Sequence, residues 1–245
     1  MTTYQLLPWD SDFFGFKVAR ILAKNLGTPA LKEILGALRE ENVVLSYWAA
    51  DPDDEDSARA ARECRGFFVD RKVTFALETA ALRQRLPLLA STALVEEFTG
   101  GIPTPELEAL AVQAGEYSRF RVDPRIPEDR FLELYRLWIR KSVTGELAEK
   151  VLVVRNEAGT VVGMVTAGDK DGRGDIGLLA VADSVRGRSF GVGLVAAAQQ
   201  WALDRGYSTA QVVTQGDNVA ACRLYEKCGY HIDRVEHIYH FWSAE

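Results

Sequence analysis

The sequence predicts an α/β protein of the α+β kind, with a mixed central sheet in its C-terminal part and a smaller α/β unit before it. Three observations carry that prediction. From about residue 105 onward, apolar runs of strand length alternate with amphipathic helical runs. Residues 1 to about 80 read strand, helix, strand, helix, strand. Asp175 to Gly193, DIGLLAVADSVRGRSFGVG, reads as a short buried strand feeding a glycine-rich turn and a helix start. Between the two parts the pattern weakens, and Gly100, Gly101, Pro103 and Pro105 mark a linker. The expected units are therefore 1–95 and 105–245.

The opening LLPWDSDFFGFKVARI mixes aromatics with two aspartates and turns strand-like at Phe16 to Ile21. Pro29 opens a helix whose Leu31, Ile34, Leu35 and Leu38 share one face. Val43 to Ala49 is a strand, DPDDEDSARAARECRGF an acidic helix start ending at Gly66, and Phe67 to Leu77 a strand with alternating Val73, Phe75 and Leu77. Beyond the linker, Leu107, Leu110, Ala111 and Ala114 give a helix. EYSRFRVDPRIPEDR reads as a loop rich in arginine: Arg119, Arg121, Arg125 and Arg130. Pro127 starts another helix, with Glu128 and Asp129 in its first turn and Arg140 and Lys141 near its end, where each charge suits the helix dipole. VLVVRN and TVVGMVTAG form a hairpin. A helix runs on from Gly193 to a stop at Gly206, Thr209 to Val213 is a strand, Asn218 to Cys228 a helix, and Tyr230 to Trp242 a closing strand.

Composition limits the function. The formal charge of −6 argues against a nucleic-acid binder, so anionic ligands must be met by local arginines. Cys64, Cys222 and Cys228 show no CxxC spacing, and His231, His237 and His240 lack companions at ligand spacing, so no metal site is expected. No apolar run has membrane-spanning length, and the N-terminus lacks a basic start followed by an apolar core. A soluble cytoplasmic protein with no membrane insertion is the expectation; a homodimer is left open.

Between the Ile176–Val181 strand and its helix lie Arg186, Gly187, Arg188, Ser189, Phe190, Gly191, Val192 and Gly193. Glycines let the backbone approach an anion, and the unpaired N–H groups of a helix start point at it. An ordinary strand-to-helix turn with solvated arginines would read the same. No GK[ST] follows and the spacing is not GxGxxG, so nucleoside triphosphatase and dinucleotide loops are set aside.

The order helix, helix, hairpin, strand, RGRSFGVG, helix, strand, N-x(6)-Y helix, strand resembles the GNAT superfamily of acyl-CoA-dependent N-acyltransferases, over roughly residues 105 to 242. Arg188, Gly191 and Gly193 fit its pyrophosphate loop, Gln/Arg-x-x-Gly-x-Gly/Ala. Asn218 and Tyr225 fit its pantetheine-arm asparagine and thioester-side tyrosine. WDSDFFGFKV, SRFR, LYRLWIRKSV and IGLLAV are further similar to the dTDP-fucosamine acetyltransferase branch, whose members acetylate dTDP-4-amino-4,6-dideoxygalactose for surface polysaccharide.

That resemblance implies acetyl-CoA as co-substrate, cradled by Arg186 to Gly193 and Asn218, with backbone N–H groups of Leu179, Ala180 and Val181 near the thioester carbonyl. It implies Tyr225 as the acid for the leaving thiolate, on one helix face with Asn218 so that both line one channel. Asp175 is a candidate base, or equally a turn residue after Gly174, and a water chain to solvent would also take the proton. For a sugar nucleotide, Ser118, Arg119 and Arg121 would meet the pyrophosphate. Trp9, Phe13, Phe14 and Tyr239 would form a wall for the base, and Asp10 or Asp12 would hold sugar hydroxyls or the amine. An aminoglycoside, polyamine or protein lysine as acceptor, or a non-catalytic acyl-CoA-binding module, are the competing readings.

Overall fold

The computed structural model describes residues 3–82 and 95–243. Its centre is a ten-stranded mixed sheet in the order β1-β2-β3-β10-β4-β9-β8-β7-β6-β5, with helices on both faces. The strands are β1 (Tyr4–Leu6), β2 (Val18–Ile21), β3 (Leu45–Ala50), β4 (Phe67–Glu78), β5 (Val95–Glu97), β6 (Lys150–Arg155), β7 (Val161–Lys170), β8 (Arg173–Val181), β9 (Thr209–Gln215) and β10 (His231–Trp242). β2 with β3 and β8 with β9 are parallel; the other neighbours are antiparallel. The α/β class with a mixed sheet is as predicted.

The sheet is continuous from one half of the chain to the other, because β4 lies between β9 and β10. Lys72 to Glu78 pair with Gln215 to Thr209 on one side, while β10 pairs along the other. Val95–Glu97, in the stretch read as a linker, pairs with β6 and closes that edge. The part of the linker at residues 83–94 lies outside the described residues.

The helices follow their local signals. The helix α1 (Pro8–Phe14) has Pro at its start and is stopped by Gly15 in the left-handed region, φ 77°. The opening aromatics thus sit on a helix, a feature their mixed pattern hides. The helix α2 (Thr28–Glu40) buries Leu31, Ile34, Leu35 and Leu38, as its periodicity predicts, and with α3 (Glu55–Glu63) covers Trp48, Tyr239 and Phe241. On the second half, α4 (Pro105–Ala114) is capped by the Thr104 hydroxyl.

SRFR is one helical turn, α5 (Arg119–Val122), where a loop is expected. Ser118 leads into it, and the buried Phe120 anchors it on the core of Phe14, Tyr47 and the long helix α6 (Glu128–Val143). On the opposite face lie α7 (Phe190–Asp204) and α8 (Val219–Lys227), over Val73, Phe75 and Val212. No helix among the described residues is long and apolar enough to cross a membrane.

Candidate active site

The feature that makes a site is a wedge between two parallel strands. β8 and β9 pair only at Gly174, Asp175 and Ile176 against Ala210, Gln211 and Val212, and beyond that they separate. A bulge helps. Gly177 and Leu178 together oppose Thr166 of β7, and the Thr166 hydroxyl restores the lost ladder bond by accepting from the Leu178 N–H at 2.8 Å. The Leu178 and Ala182 amides both point to β7. Since N–H groups alternate along a strand, those of Leu179 and Val181 point the other way, into the wedge. Gln113 of α4 reaches the mouth and donates to the Val181 carbonyl at 2.9 Å.

The glycine-rich stretch shapes the next segment. After a short 3-10 turn, Asp183–Val185, Gly187 (φ 80°) and Ser189 (φ 63°) take left-handed conformations that swing the chain into α7. The helix starts at Phe190, so Gly191 and Gly193 lie inside its first turn. At Gly191 a Cβ would stand 3.2 Å from the Leu224 side chain, so glycine keeps α7 and α8 close.

Here a cavity of about 1020 Å³ opens, floored by Leu179 to Val181 and walled by Gly187, Ser189 to Val192 and α8. Arg186 lines it and pairs with Asp183 at 2.7 Å. Arg188 is exposed and is not among the lining residues, nor is the buried Gly193. Arg223 and Lys227 do line it, one helical turn apart on α8. Sequence reasoning missed both. Their i, i+4 spacing was the available signal, but on an otherwise ordinary helix it resembles a solvated charged face.

Asn218 lines the cavity as well, as the N-cap of α8, where its side chain accepts from the Ala221 N–H at 3.1 Å. Tyr225 does not share that wall: it is 4% exposed and packs on Phe75 and Tyr230, with ring centroids 5.8 and 6.1 Å away. The expectation that Asn218 and Tyr225 line one channel is corrected accordingly. Asn218 precedes the helix rather than belonging to it, and Leu224 and Lys227 take the cavity side. Burial pushes the Tyr225 phenol up, so it holds its proton.

Asp175 is within β8, not in a turn, and Gln211 Nε2 donates to its Oδ1 at 2.9 Å. Burial, against the pull of Lys170 and Gln211, raises its carboxyl to about 6. The folded chain therefore holds a proton here that the unfolded chain has released, and stability from this group falls as pH rises from about 4 to about 6. Asp175→Asn is expected to raise stability at pH 8 by on the order of 1 to 2 kcal/mol and to have little effect at pH 4. Thermal melts at the two pH values test this, and an equal effect at both removes the burial argument.

A second group of polar side chains gathers on the face covered by α1, α5 and α6. The Arg119 guanidinium stacks over Tyr47 at 4.4 Å and Phe120 at 4.7 Å, and its Nε is buried without a partner. Asp10 faces Arg119 and Tyr47; burial raises its carboxyl despite Arg119. The Ser118 hydroxyl meets Tyr135, whose phenol burial pushes up to about 12. Trp9, 43% exposed, stacks on Phe13 at 5.4 Å, and Phe14 packs on Phe120. Asp12 is exposed.

Two expected members stand apart. Arg121 is exposed and pairs with Glu128 at 3.0 Å. Tyr239 packs with Trp48 in the core under α2 and α3, and on the exposed Phe68 at its edge, because alternation along β10 turns it away from the face that holds His240. Sequence reasoning also left out a buried dyad: Asp123 Oδ2 accepts from His240 Nδ1 at 2.7 Å and from Trp242 Nε1 at 2.8 Å. Burial pushes the Asp123 carboxyl up, but these bonds outweigh it and hold it below its ordinary range. Burial likewise lowers the His240 imidazole, whose Nε2 has no partner. The two residues are 117 apart in sequence, so no local spacing pairs them. No cluster of metal-ligating side chains occurs among the described residues.

The bulge, the splayed strands and the glycine-rich turn all lie within residues 113–230, which match the acetyltransferase (GNAT) family. The chain carries an acetyltransferase domain of that family, as the motif resemblance implies. It is 35% identical over 132 residues to a dTDP-fucosamine acetyltransferase of Escherichia coli O6:H1, covering 53% of this chain and 55% of that protein. It is 28% identical over 152 residues to the spore coat polysaccharide biosynthesis protein SpsD of Bacillus subtilis, covering 60% and 52%. The chain thus spans about half the length of these two relatives. A GCN5-related N-acetyltransferase from Sphaerobacter thermophilus shares the fold over 98% of this chain and 76% of its own, with a TM-score of 0.62 at 16% identity.

Proposed function

We propose that this chain transfers an acetyl group from acetyl-CoA to the amine of a dTDP-amino-dideoxy sugar, with dTDP-4-amino-4,6-dideoxygalactose as the first acceptor to test, in the synthesis of surface polysaccharide. The observation that carries the reading is the wedge: two unpaired amides, of Leu179 and Val181, face a cavity that continues to the basic residues of α8. Residues 1–95 would supply much of the acceptor site and 105–245 the acetyl-CoA site. This reading puts the protein in the cytoplasm, with its acetyl-CoA supply.

The residues present fit acetyl-CoA. Gly187, Gly191 and the Phe190 end of α7 offer close backbone approach and helix-start N–H groups to a pyrophosphate, with Ser189 and Val192 beside them. Arg186, Arg223 and Lys227 offer charged donors, and Asn218 with Leu179 to Val181 borders the path of the pantetheine arm. When bound, acetyl-CoA supplies an electrophilic thioester carbon. The Leu179 and Val181 amides would stabilise negative charge on its oxygen, and holding amine and thioester in register would supply much of the rate. Tyr225 would give its proton to the departing sulfur.

Arg223→Ala combined with Lys227→Ala is expected to weaken coenzyme A binding about 10- to 100-fold, since charge-assisted bonds to phosphate contribute about 1.5 to 3 kcal/mol. Calorimetry reads this directly. Unchanged affinity would move the phosphates elsewhere. For the reaction, acetyl-CoA and the dTDP-amino sugar should release free thiol. Release only with aminoglycosides, polyamines or a lysine peptide would replace the acceptor, and coenzyme A binding without turnover on any amine would favour a binding module.

A further inference from the structure

The amine's proton acceptor has to stand across the wedge from Leu179 to Val181, and Asp175 does not stand there. Asp175 pairs with Gln211 in the part of the two strands that is still closed, and its carboxylate is bonded to that glutamine. On the open side, β9 ends at Gln215, opposite Lys72 of β4, and Gly216 then bonds the Arg71 carbonyl at 2.7 Å. Asp70 follows on β4, two residues past that pairing and on the same face as Lys72 and Thr74 by the alternation of the strand. It therefore borders the space that β9 vacates.

Its surroundings are unusual for a structural aspartate. Asp70 is 8% exposed, its Oδ1 is buried with no hydrogen-bond partner, and no ion pair reaches it among the described residues. The Nε of Arg119, which faces it, is unpartnered as well. The charged and titratable groups facing it are Arg119 of α5, Lys72 of its own strand, Asp217 of the turn after β9 and Tyr135 of α6. Leaving a buried polar group without a partner is destabilising, and more so for a charged one. A cationic donor entering from the acceptor side would satisfy Asp70.

We infer that Asp70 is the group that receives the acceptor's ammonium and takes one proton from it. This rests on the acetyltransferase reading above. The carboxylate first pairs with the ammonium; one N–H proton passes to Asp70, leaving a neutral amine with a free lone pair. The N–C bond then forms and the C–S bond breaks. As the amide forms, the nitrogen's second proton leaves through solvent and replaces the one that Tyr225 delivers to the departing sulfur, and Asp70 returns its own proton to solvent. Arg119, on the same face, holds the rest of the acceptor, so the amine is presented at the edge of β4. Burial raises the Asp70 carboxyl to about 7, against Arg119 and Lys72, which matches it to an acid-base role near neutral pH.

The test is the pH dependence of kcat/KM with acetyl-CoA and dTDP-4-amino-4,6-dideoxygalactose. Asp70→Asn is expected to lower kcat about 10²- to 10³-fold at pH 7, to lose the acidic limb of the profile and to recover part of the rate at high pH, where the amine deprotonates unaided. Asp70→Glu should restore part of the rate, and Asp175→Asn should keep the wild-type profile. An Asp70→Asn profile with the wild-type limb overturns the inference, as does a loss confined to KM. If that sugar is not acetylated, the substrate reading has failed while the Asp70 assignment is still decided by carboxyl ¹³C NMR of the free chain. The resonance absent from Asp70→Asn should titrate well above the ordinary aspartate range and respond to millimolar D-galactosamine. An ordinary titration, or no response to the amine, overturns it.

Discussion

Replacing Tyr225 by Phe is expected to lower kcat about a hundredfold, the scale of a general acid, with coenzyme A affinity unchanged. The substitution keeps the ring that packs on Phe75 and Tyr230 and deletes only the oxygen. A merely structural tyrosine would therefore show a small change in melting temperature and none in turnover. The acid reading requires the reverse. It is supported by a phenol that burial keeps protonated, on a helix whose neighbouring residues Ala221 and Leu224 border the cavity. Following kcat with two acyl donors of different leaving-group acidity sharpens the result: Tyr225→Phe should discriminate between the two thiols more strongly than wild type. Equal turnover of Tyr225→Phe and wild type assigns Tyr225 to the core and the sulfur's proton to water.

What could be read in advance divides along physical lines. The helices α2 and α6 were legible because signals within a single element defined them: apolar residues on one face and a proline at the start of α2, and an apolar face with an acidic first turn and a basic last turn in α6. The wedge floor, Leu179 to Val181, was legible through its motif. The insertion of β4 between β9 and β10 was not: strand order is fixed by pairings between residues more than 130 positions apart, and each strand alternates in the same way whichever neighbour it has.

The same holds for the acceptor side. Arg119 and Arg121 look equivalent in SRFR, yet one turn of helix directs Arg119 onto Tyr47 and Arg121 toward Glu128. Asp70 offered no signal at all, lying in FFVDRKVTFALE where an aspartate reads as the polar face of a strand. Only the sheet order turns that face toward α5 and α6. Tyr239 shows the opposite error, in which an aromatic chosen by residue type faces the core of α2 and α3.

Arg119→Ala is expected to raise KM for the sugar nucleotide about 10- to 100-fold while leaving coenzyme A affinity as it was. The guanidinium carbon stands over the Tyr47 and Phe120 rings, 4.4 and 4.7 Å from their centroids, and these contacts restrict its donors before any ligand arrives. Its Nε is buried and unpartnered, which costs stability in the free chain and is recovered when an acceptor oxygen meets it. A diphosphate oxygen suits that fork better than a neutral hydroxyl does. Arg119→Lys should accordingly recover only a small part of the loss, since an ammonium keeps the charge but neither stacks as a plane nor presents two parallel donors. Arg121→Ala, which removes an exposed pair with Glu128, should change KM less than about threefold, because solvated ion pairs contribute about 0 to 1 kcal/mol. Should Arg121→Ala prove the more damaging of the two, the nucleotide lies along the outer side of α5, and the buried face of Arg119 serves the fold.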